Sequence, residues 1–225
     1  MSFEFVHASP EIPTTLNRMA LTARRAGYSS IVVRNHSDTF SESMPVADEI
    51  GIDAYSGVEI NTESVNELHG YVGKYKQMDI DFICVHGGDE AINRAAVTSE
   101  NVDVLCHPQR GKGMRFNHVL AKEAASNDVA VEFNLGKVLR SSGGPRVYSL
   151  RDMKRLLTLF RKYGFPIVIS ADPFSHLEVR GRREIEALCS LIGLTEEEIE
   201  LGMCETPRKI ARKPSNGSTV EVIEK

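Results

Sequence analysis

Side chains that bind metal ions or exchange protons recur along most of the chain, each directly after a short apolar run. In chain order they are His7, His36, Glu59, His86, His107, Glu132 with Asn134, and Asp172. One histidine in such a position is usually structural, but a series of ligand-type residues predicts a shared site. Imidazoles and carboxylates gathered in one place would suit Zn²⁺ or Mn²⁺.

The apolar runs predict seven β-strands, at 3–7, 30–35, 53–60, 80–86, 102–108, 129–135 and 166–170. Amphipathic patterns between and after them predict helices at 13–26, 117–127, 150–163 and 180–192, and TEEE (195–198) opens a shorter one. Ser149 is the expected N-cap of the third helix. Repeated strand–helix units with continuous apolar strands predict a parallel sheet covered by helices.

Seven strands in one block favour an α/β fold of the TIM-like (β/α) barrel type over an open doubly wound sheet. No G-x-G-x-x-G follows the first strand, which argues against a dinucleotide-binding domain. In such a barrel the carboxyl ends of all strands lie on one face, so the ligand-type residues should meet there. We expect one barrel domain at 1–212 and a flexible polar tail at 213–225.

The composition is that of a globular protein of 225 residues with a net charge of −4. No apolar run is long enough to span a membrane, and the first residues lack the pattern of a signal peptide. The cysteines form no C-x-x-C pair, which predicts buried reduced thiols. These features predict a cytoplasmic protein.

Charge is distributed unevenly between the two halves of the chain. Residues 1–106 hold 7 Lys/Arg and 16 Asp/Glu, whereas residues 107–225 hold 20 and 15. The basic residues of interest follow the last three strands in three clusters: Arg110, Lys112 and Arg115; then Lys137, Arg140, Arg146 and Arg151; then Arg180, Arg182 and Arg183. We expect the three clusters to share one face and bind a polyanion. A solvated surface with unevenly placed charge explains the counts equally well.

The order of His7, His36, Gly57-Val58-Glu59, His86, His107-Pro108 and Asp172 resembles the polymerase and histidinol phosphatase (PHP) superfamily. The resemblance implies a barrel that binds up to three metal ions and hydrolyses phosphoesters. Three positions depart from the motifs: Phe5 replaces a histidine, Asn35 replaces an aspartate, and Pro173-Phe174 interrupt the last motif. The implied trinuclear site is therefore incomplete, and Glu59, His86 and His107 remain for a single Zn²⁺ or Mn²⁺.

The second half resembles a narrower family. The stretches LRSSGGPRVYSLRDMKRLLTLFRKYGFPIVISADP (139–173), LEVRGRREIEALCSLIGL (177–194) and ETPRKI (205–210) are similar to the ribonuclease P protein component 3 family, whose barrel is a degenerate PHP fold. The likeness runs from FEFVH (3–7) to PRKI (207–210).

This resemblance implies a noncatalytic subunit of the ribonucleoprotein that removes the 5′ leader from precursor tRNA. The implied partners are the catalytic RNA, which would bring its own Mg²⁺, precursor tRNA, a small ferredoxin-like protein and other protein subunits. The expected RNA-binding residues are Arg110, Lys112, Arg115, Lys137, Arg140, Arg146, Arg180 and Arg182, and no catalytic side chain is expected. The alternative is a metal-dependent PHP phosphoesterase acting through Glu59, His86 and His107.

One residue has two possible roles at this point. Arg34 lies in VVRNHSD (32–38), at the end of the second predicted strand. It could pair with Glu59 or Asp172 as a structural partner, or it could contact RNA. For Glu132 and Asn134 we expect hydrogen bonding in the core rather than metal binding.

Overall fold

The computed structural model describes residues 1–40, 48–78, 80–109 and 114–211. Its strands are β1 (Phe3–Val6), β2 (Ser30–Val33), β3 (Asp53–Ile60), β4 (Phe82–His86), β5 (Val104–Cys106), β6 (Ala130–Asn134) and β7 (Ile167–Ser170). All neighbouring strands pair in parallel, in sequence order, within one seven-stranded sheet. The predicted barrel of seven strands is confirmed. The predicted domain end at 212 and the tail at 213–225 lie outside the described residues.

The helices are α1 (Leu16–Arg25), α2 (Val65–Lys76), α3 (Glu90–Val97), α4 (His118–Ser126), α5 (Gly136–Arg140), α6 (Gly143–Tyr163), α7 (Arg182–Ile192), α8 (Glu196–Glu200) and α9 (Thr206–Ala211), with a 3₁₀ turn at Asp48–Ile50 and a π-helical turn at Leu201–Glu205. Ser64, Asp89 and Asn117 cap α2, α3 and α4 through side-chain oxygens that accept backbone N–H bonds. No helix in the described part of the chain has the length and apolar character needed to cross a membrane.

Helix α6 begins seven residues earlier than the sequence predicted. Ser149 is not its cap but a residue of its second turn, where the hydroxyl donates to the Pro145 carbonyl at 3.0 Å. The two glycines at 143–144 resemble a loop in sequence, and Pro145 is tolerated because a first-turn N–H has no partner within the helix. The predicted short helix after TEEE is confirmed, since Thr195 and Glu198 form both bonds of a capping box.

The barrel is closed between its first and last strands by side chains rather than by a backbone ladder. Glu4 of β1 is buried, and its Oε1 accepts bonds from Ser170 Oγ and the Ala171 N–H, both at 3.0 Å. Burial raises the pKa of Glu4 to about 7, although these donors and the Phe5 N–H oppose the shift. Hydrogen bonds to a buried carboxyl therefore join the first strand to the end of the last, where a TIM barrel has an eighth strand paired through its backbone.

Two ends of the barrel are distinguished below. The rim is the end formed by the last residues of β1–β7, and the base is the opposite end, where the strands begin. Helices α7–α9 lie against the base: the Arg182 N–H donates to the Ala26 carbonyl at 2.9 Å, and Lys209 pairs with Asp128 at 2.9 Å. Ile210 packs with Phe3, Phe5 and the other apolar side chains inside the barrel. The base is thus closed by apolar packing, which leaves the rim for function.

Candidate functional site

The rim brings the ligand-type side chains together, as the sequence predicted. Four imidazoles form an arc, with ring centroids 5.2 Å apart for His7–His36, 5.2 Å for His36–His86 and 4.5 Å for His86–His107. His86 Nδ1 lies 2.6 Å from Glu59 Oε1, and His107 Nε2 lies 3.7 Å from the same oxygen. The prediction that strand ends gather these residues is confirmed.

Arg34 occupies the centre of this arrangement and is completely buried. Its Nη2 lies 2.7 Å from Glu132 Oε1 and 2.9 Å from Asp172 Oδ1, and its Nε lies 3.4 Å from Glu59 Oε2. Burial opposes the charge of the guanidinium, but the surrounding carboxylates outweigh burial and hold the pKa of Arg34 well above its ordinary value. Arg34 is a structural partner of both candidate carboxylates, and its burial excludes the alternative of an RNA contact.

Arg34 also affects the pKa values of the carboxylates around it. Burial alone would raise the pKa values of Glu59 and Asp172, but Arg34 and the adjacent histidines hold both well below their ordinary range. Glu132 also accepts bonds from Asn134 Nδ2 at 3.1 Å and from the His107 N–H at 3.3 Å. The hydrogen-bonding roles predicted for Glu132 and Asn134 are confirmed.

Asn35, which replaces the PHP aspartate, has a defined structural task. Its Oδ1 accepts from the Ala8 N–H and its Nδ2 donates to the Ala8 carbonyl, both at 2.9 Å. The amide thereby fixes the loop after β1 to the end of β2. A carboxylate could accept the first bond but could not donate the second.

Glu11 is a member of the site that sequence reasoning missed. Its Oε2 lies 3.1 Å from His7 Nδ1, and its Oε1 lies 2.6 Å from His36 Nδ1. Burial lowers the pKa of His7, but its bonds to Asp172 and Glu11 outweigh that effect and raise the pKa to about 9. Glu11 lies in the loop after β1, five residues beyond the end of the strand. The rule that located the other members considers only residues directly at strand ends, so it could not find Glu11.

The fit of a metal cluster can be judged from these distances. Glu59, Glu132 and Asp172 direct oxygens at the Arg34 guanidinium, so these residues do not fit the several divalent ions of a PHP site. Glu59 Oε1 instead faces imidazole nitrogens of His36, His86 and His107. Among the described residues, two sets of three side chains have ligand atoms within 4.8 Å of one another. The first set is His7, Glu11 and His36, and the second is His36, Glu59 and His86.

The predicted RNA-binding residues differ in how freely they face solvent. Arg115, Lys137 and Arg146 are exposed. Arg140 donates to the Asp172 carbonyl at 2.7 Å and pairs with Glu178 at 3.2 Å, so part of its charge is already compensated. Arg110 and Lys112 lie outside the described residues.

The third basic cluster does not share the rim as predicted. Arg182 lies at the base, where its side chain pairs with Glu186 at 2.7 Å and Glu200 at 3.2 Å. Arg180 lies in the segment that leads there and donates to the Leu177 carbonyl at 3.2 Å. The nine residues at 173–181 carry the chain from the rim to the base. Arg182 therefore lies far from the end of β7, although it follows β7 in sequence.

A cleft of about 310 Å³ opens on the rim beside these groups. Its lining includes His86, His107, Lys137, Arg140, Asp172 and Phe174. The ring of Phe174 stacks on His7 with centroids 4.9 Å apart, and Arg140 Cζ lies 5.0 Å from the same ring. The cleft thus joins a buried ionic centre to an exposed cationic margin, an arrangement that suits an anionic ligand.

Comparison with known proteins gives consistent results. The family model of RNase P subunit p30 matches residues 4–216. Ribonuclease P protein component 3 of Haloarcula marismortui is 40% identical over 223 residues, covering 97% of this chain and 94% of that protein. The protein of the same name from Natronomonas pharaonis is 45% identical over 203 residues, covering 89% of this chain and 84% of that protein.

Solved structures show the same likeness. A chain in a cryo-EM structure of archaeal ribonuclease P with mature tRNA superposes with a TM-score of 0.77 at 27% identity, covering 93% of this chain and 89% of that chain. Histidinol phosphate phosphatase from Lactococcus lactis superposes with a TM-score of 0.56 at 14% identity, covering 85% of this chain and 92% of that chain. The second likeness shows the fold alone.

Proposed function

This chain belongs to the RNase P subunit p30 family, and on that premise we propose that exposed cations on its rim bind RNA phosphates within ribonuclease P. It is a protein subunit of the ribonucleoprotein that removes the 5′ leader from precursor tRNA, in which the RNA carries catalysis. The observation that carries the proposal is the exposed pair Lys137 and Arg146, in a stretch with no acidic residue from 134 to 150.

The buried centre and the exposed margin have separate roles in this proposal. Arg34 neutralises carboxylates that a hydrolase would use for metal ions, so the centre contributes rigidity. The margin contributes charge: Arg115, Lys137 and Arg146 face solvent, and Arg140 adds a partly compensated guanidinium. We propose that Arg110 and Lys112 also bind RNA phosphates. Arg180 and Arg182 do not belong to this surface. Arg182 pairs with acidic residues at the base, and Arg180 lies in the segment that leads to the base.

Binding to phosphates makes a specific prediction about salt. Each cation that neutralises a phosphate releases a counterion, so affinity falls with salt with a slope of about 0.7–0.9 per contact. The double variant Lys137→Ala/Arg146→Ala should bind the cognate ribonuclease P RNA more weakly and reduce the slope by about one to two.

A matched control removes the same charge from the base. Arg25 and Lys162 are exposed and lie in the last turns of α1 and α6, at the base. The variant Arg25→Ala/Lys162→Ala should keep both the affinity and the slope of the wild type. Equal slopes for the rim and base variants would contradict the proposed surface.

We further propose the partners and location that the family resemblance implies. The protein acts with the ribonuclease P RNA, precursor tRNA and a small ferredoxin-like protein subunit, and Mg²⁺ enters with the RNA. Its four cysteines are buried free thiols, which supports a cytoplasmic location because that compartment is reducing.

For the residual metal site we propose one divalent ion at most. Glu59 and His86 would hold it together with His36, because the ligand atoms of these three lie within 4.8 Å of one another, and the predicted ligand His107 would lie beside them. Zn²⁺ or Mn²⁺ bound there would link the end of β2 with β3 and β4. This arrangement leaves Arg34 in place. Addition of Zn²⁺ should then raise the melting temperature of the wild type but not of His86→Ala, and metal analysis of protein purified without chelator should find up to one ion per chain.

A further inference from the structure

The first two turns of α6 protrude from the rim. Residues 142–148 are all exposed, although a helix packed on a barrel usually buries one stripe of side chains. The exposed side chains include Val147 at 63% and Tyr148 at 58%. Because single exposed apolar residues are common, exposure alone would mean little. The surroundings of Tyr148 give it meaning.

The Tyr148 side chain lies against residues of its own helix. Arg151 Cζ lies 5.1 Å from the centre of the tyrosine ring, in cation–π contact. A Cβ atom on Gly144 would lie 3.9 Å from Tyr148 Cε2, so the ring lies along the bare backbone of the preceding turn. The Arg151 side chain is itself 57% exposed and lies 3.6 Å from Asp152 Oδ1. The result is an exposed aromatic ring beside a solvent-facing guanidinium.

The positive charge near the Tyr148 ring favours an anionic ligand. The exposed residues Lys137, Arg146 and Lys154 lie before and after it in sequence, with no acidic residue from 134 to 150. An apolar protein partner would bring no compensation for these cations, whereas a nucleic acid brings a phosphate with every base. Exposed aromatic rings flanked by cations are how proteins hold unpaired bases.

We propose that Tyr148 and Arg151 form a stacking platform for one unpaired nucleobase of RNA. The base would lie on the exposed part of the Tyr148 ring, and Arg151 would reach its phosphate or share the stack. The ligand is an unpaired base because the faces of paired bases are covered within a duplex. This inference rests on the proposed function, since it assigns a base contact to the surface that binds phosphates there.

The chain contains no tryptophan, which makes a direct test possible. Tyr148→Trp would introduce a single indole at the platform, and its fluorescence should be quenched when the cognate ribonuclease P RNA or precursor tRNA is added separately. Leu191→Trp is the matched control, because Leu191 is 78% exposed on α7 at the base. Its fluorescence should not change with either RNA. The two titrations also reveal which RNA supplies the base.

Affinity distinguishes stacking from charge. Tyr148→Ala should weaken binding of the quenching RNA roughly 5- to 100-fold, whereas Tyr148→Phe and Tyr148→Trp should bind like the wild type. The salt slope should be the same in all three variants, because no phosphate contact is lost. Loss of slope in Lys137→Ala/Arg146→Ala together with unchanged affinity in Tyr148→Ala would overturn the platform and leave the proposed function intact. Quenching by the ferredoxin-like partner alone, with none by either RNA, would assign the ring to a protein interface and overturn the inference.

Discussion

Replacing Arg34 by methionine should strongly destabilise the fold, because Arg34 is buried and pairs with three buried carboxylates. Methionine occupies similar volume without charge, and it would leave Glu59, Glu132 and Asp172 buried around an apolar side chain. Removal of one partner from a buried ionic cluster costs about 3–5 kcal/mol. Because whole domains are stable by only about 5–15 kcal/mol, this loss is a large fraction of the total and should lower the melting temperature clearly.

The distances indicate which carboxylate contributes most to this loss. Asp172 would keep His7 at 3.2 Å and Arg140 at 3.3 Å, and Glu59 would keep His86 at 2.6 Å. Glu132 would keep only the uncharged donors described above, so it loses its one cation. The loss should therefore be dominated by Glu132, whose ion pair with Arg34 is the shortest of the three, at 2.7 Å.

The loss should depend on pH in a definite direction. In the wild type the folded-state pKa values of Glu59 and Asp172 are depressed, so their contribution is present above the ordinary carboxyl pKa and is lost in acid. Without Arg34 the buried carboxyls would have raised pKa values and would be protonated on mild acidification. The deficit should therefore shrink as the pH falls from about 8 to about 5.

Denaturant unfolding followed by circular dichroism at both pH values measures this deficit. Arg34→Lys should lose less, since an ammonium keeps the charge but cannot reach all three carboxylates. Exposed Arg25→Met is the control and should stay within about 0.5 kcal/mol of the wild type. An Arg34→Met deficit below about 1 kcal/mol, or one that does not change with pH, would refute the role assigned to the guanidinium.

Four further predictions concern the framework of the barrel. Asn35→Asp should cost about 1–3 kcal/mol at neutral pH in denaturant unfolding, and less in acid, where a protonated carboxyl can again donate to the Ala8 carbonyl. In Glu4→Gln the free energy of unfolding should decline less than in the wild type as the pH rises from 4.5 to about 7, the window over which the raised pKa of Glu4 destabilises the wild type; an unchanged pH profile would contradict this. Gly87→Ala should cost about 1–3 kcal/mol, because its Cβ would collide with Asn93 and lie 2.8 Å from the Cys106 carbonyl oxygen. Gly70→Ala, in an exposed part of α2 with nothing within 4 Å, should gain about 0.5–1 kcal/mol in the same thermal or denaturant assay.

The sequence predicted what is determined locally. Continuous apolar runs located the strands, and the rule that parallel strands end on one face located His36, Glu59, His86 and His107. The role of Arg34 could be stated only as one of two alternatives, because its burial depends on three carboxylates that come from β3, β6 and the end of β7. Its identity as a partner of Glu59 and Asp172 became certain only from the fold.

Features that depend on the path of the chain in space could not be predicted from the sequence. The first two turns of α6 contain two glycines and a proline, so propensity indicated a loop, yet the backbone there is helical. Arg182 follows β7 in sequence, but the segment 173–181 is long enough to cross the barrel and deliver it to the base. Glu11 joins the site from a loop, where no periodic pattern marks it. For Arg182 and Glu11, contacts with residues distant in sequence decide the outcome.

Reconstituted cleavage of precursor tRNA tests the central claim most directly, with the magnesium requirement as the readout. The cognate RNA should cleave precursor tRNA at lower Mg²⁺ when the wild-type protein and the proposed ferredoxin-like subunit are present. With the rim variant Lys137→Ala/Arg146→Ala, the Mg²⁺ concentration for half-maximal cleavage should move back toward the value for RNA alone. With the base variant Arg25→Ala/Lys162→Ala, it should stay at the wild-type value. Cleavage by the protein without RNA, or identical midpoints for the two variants, would contradict the account.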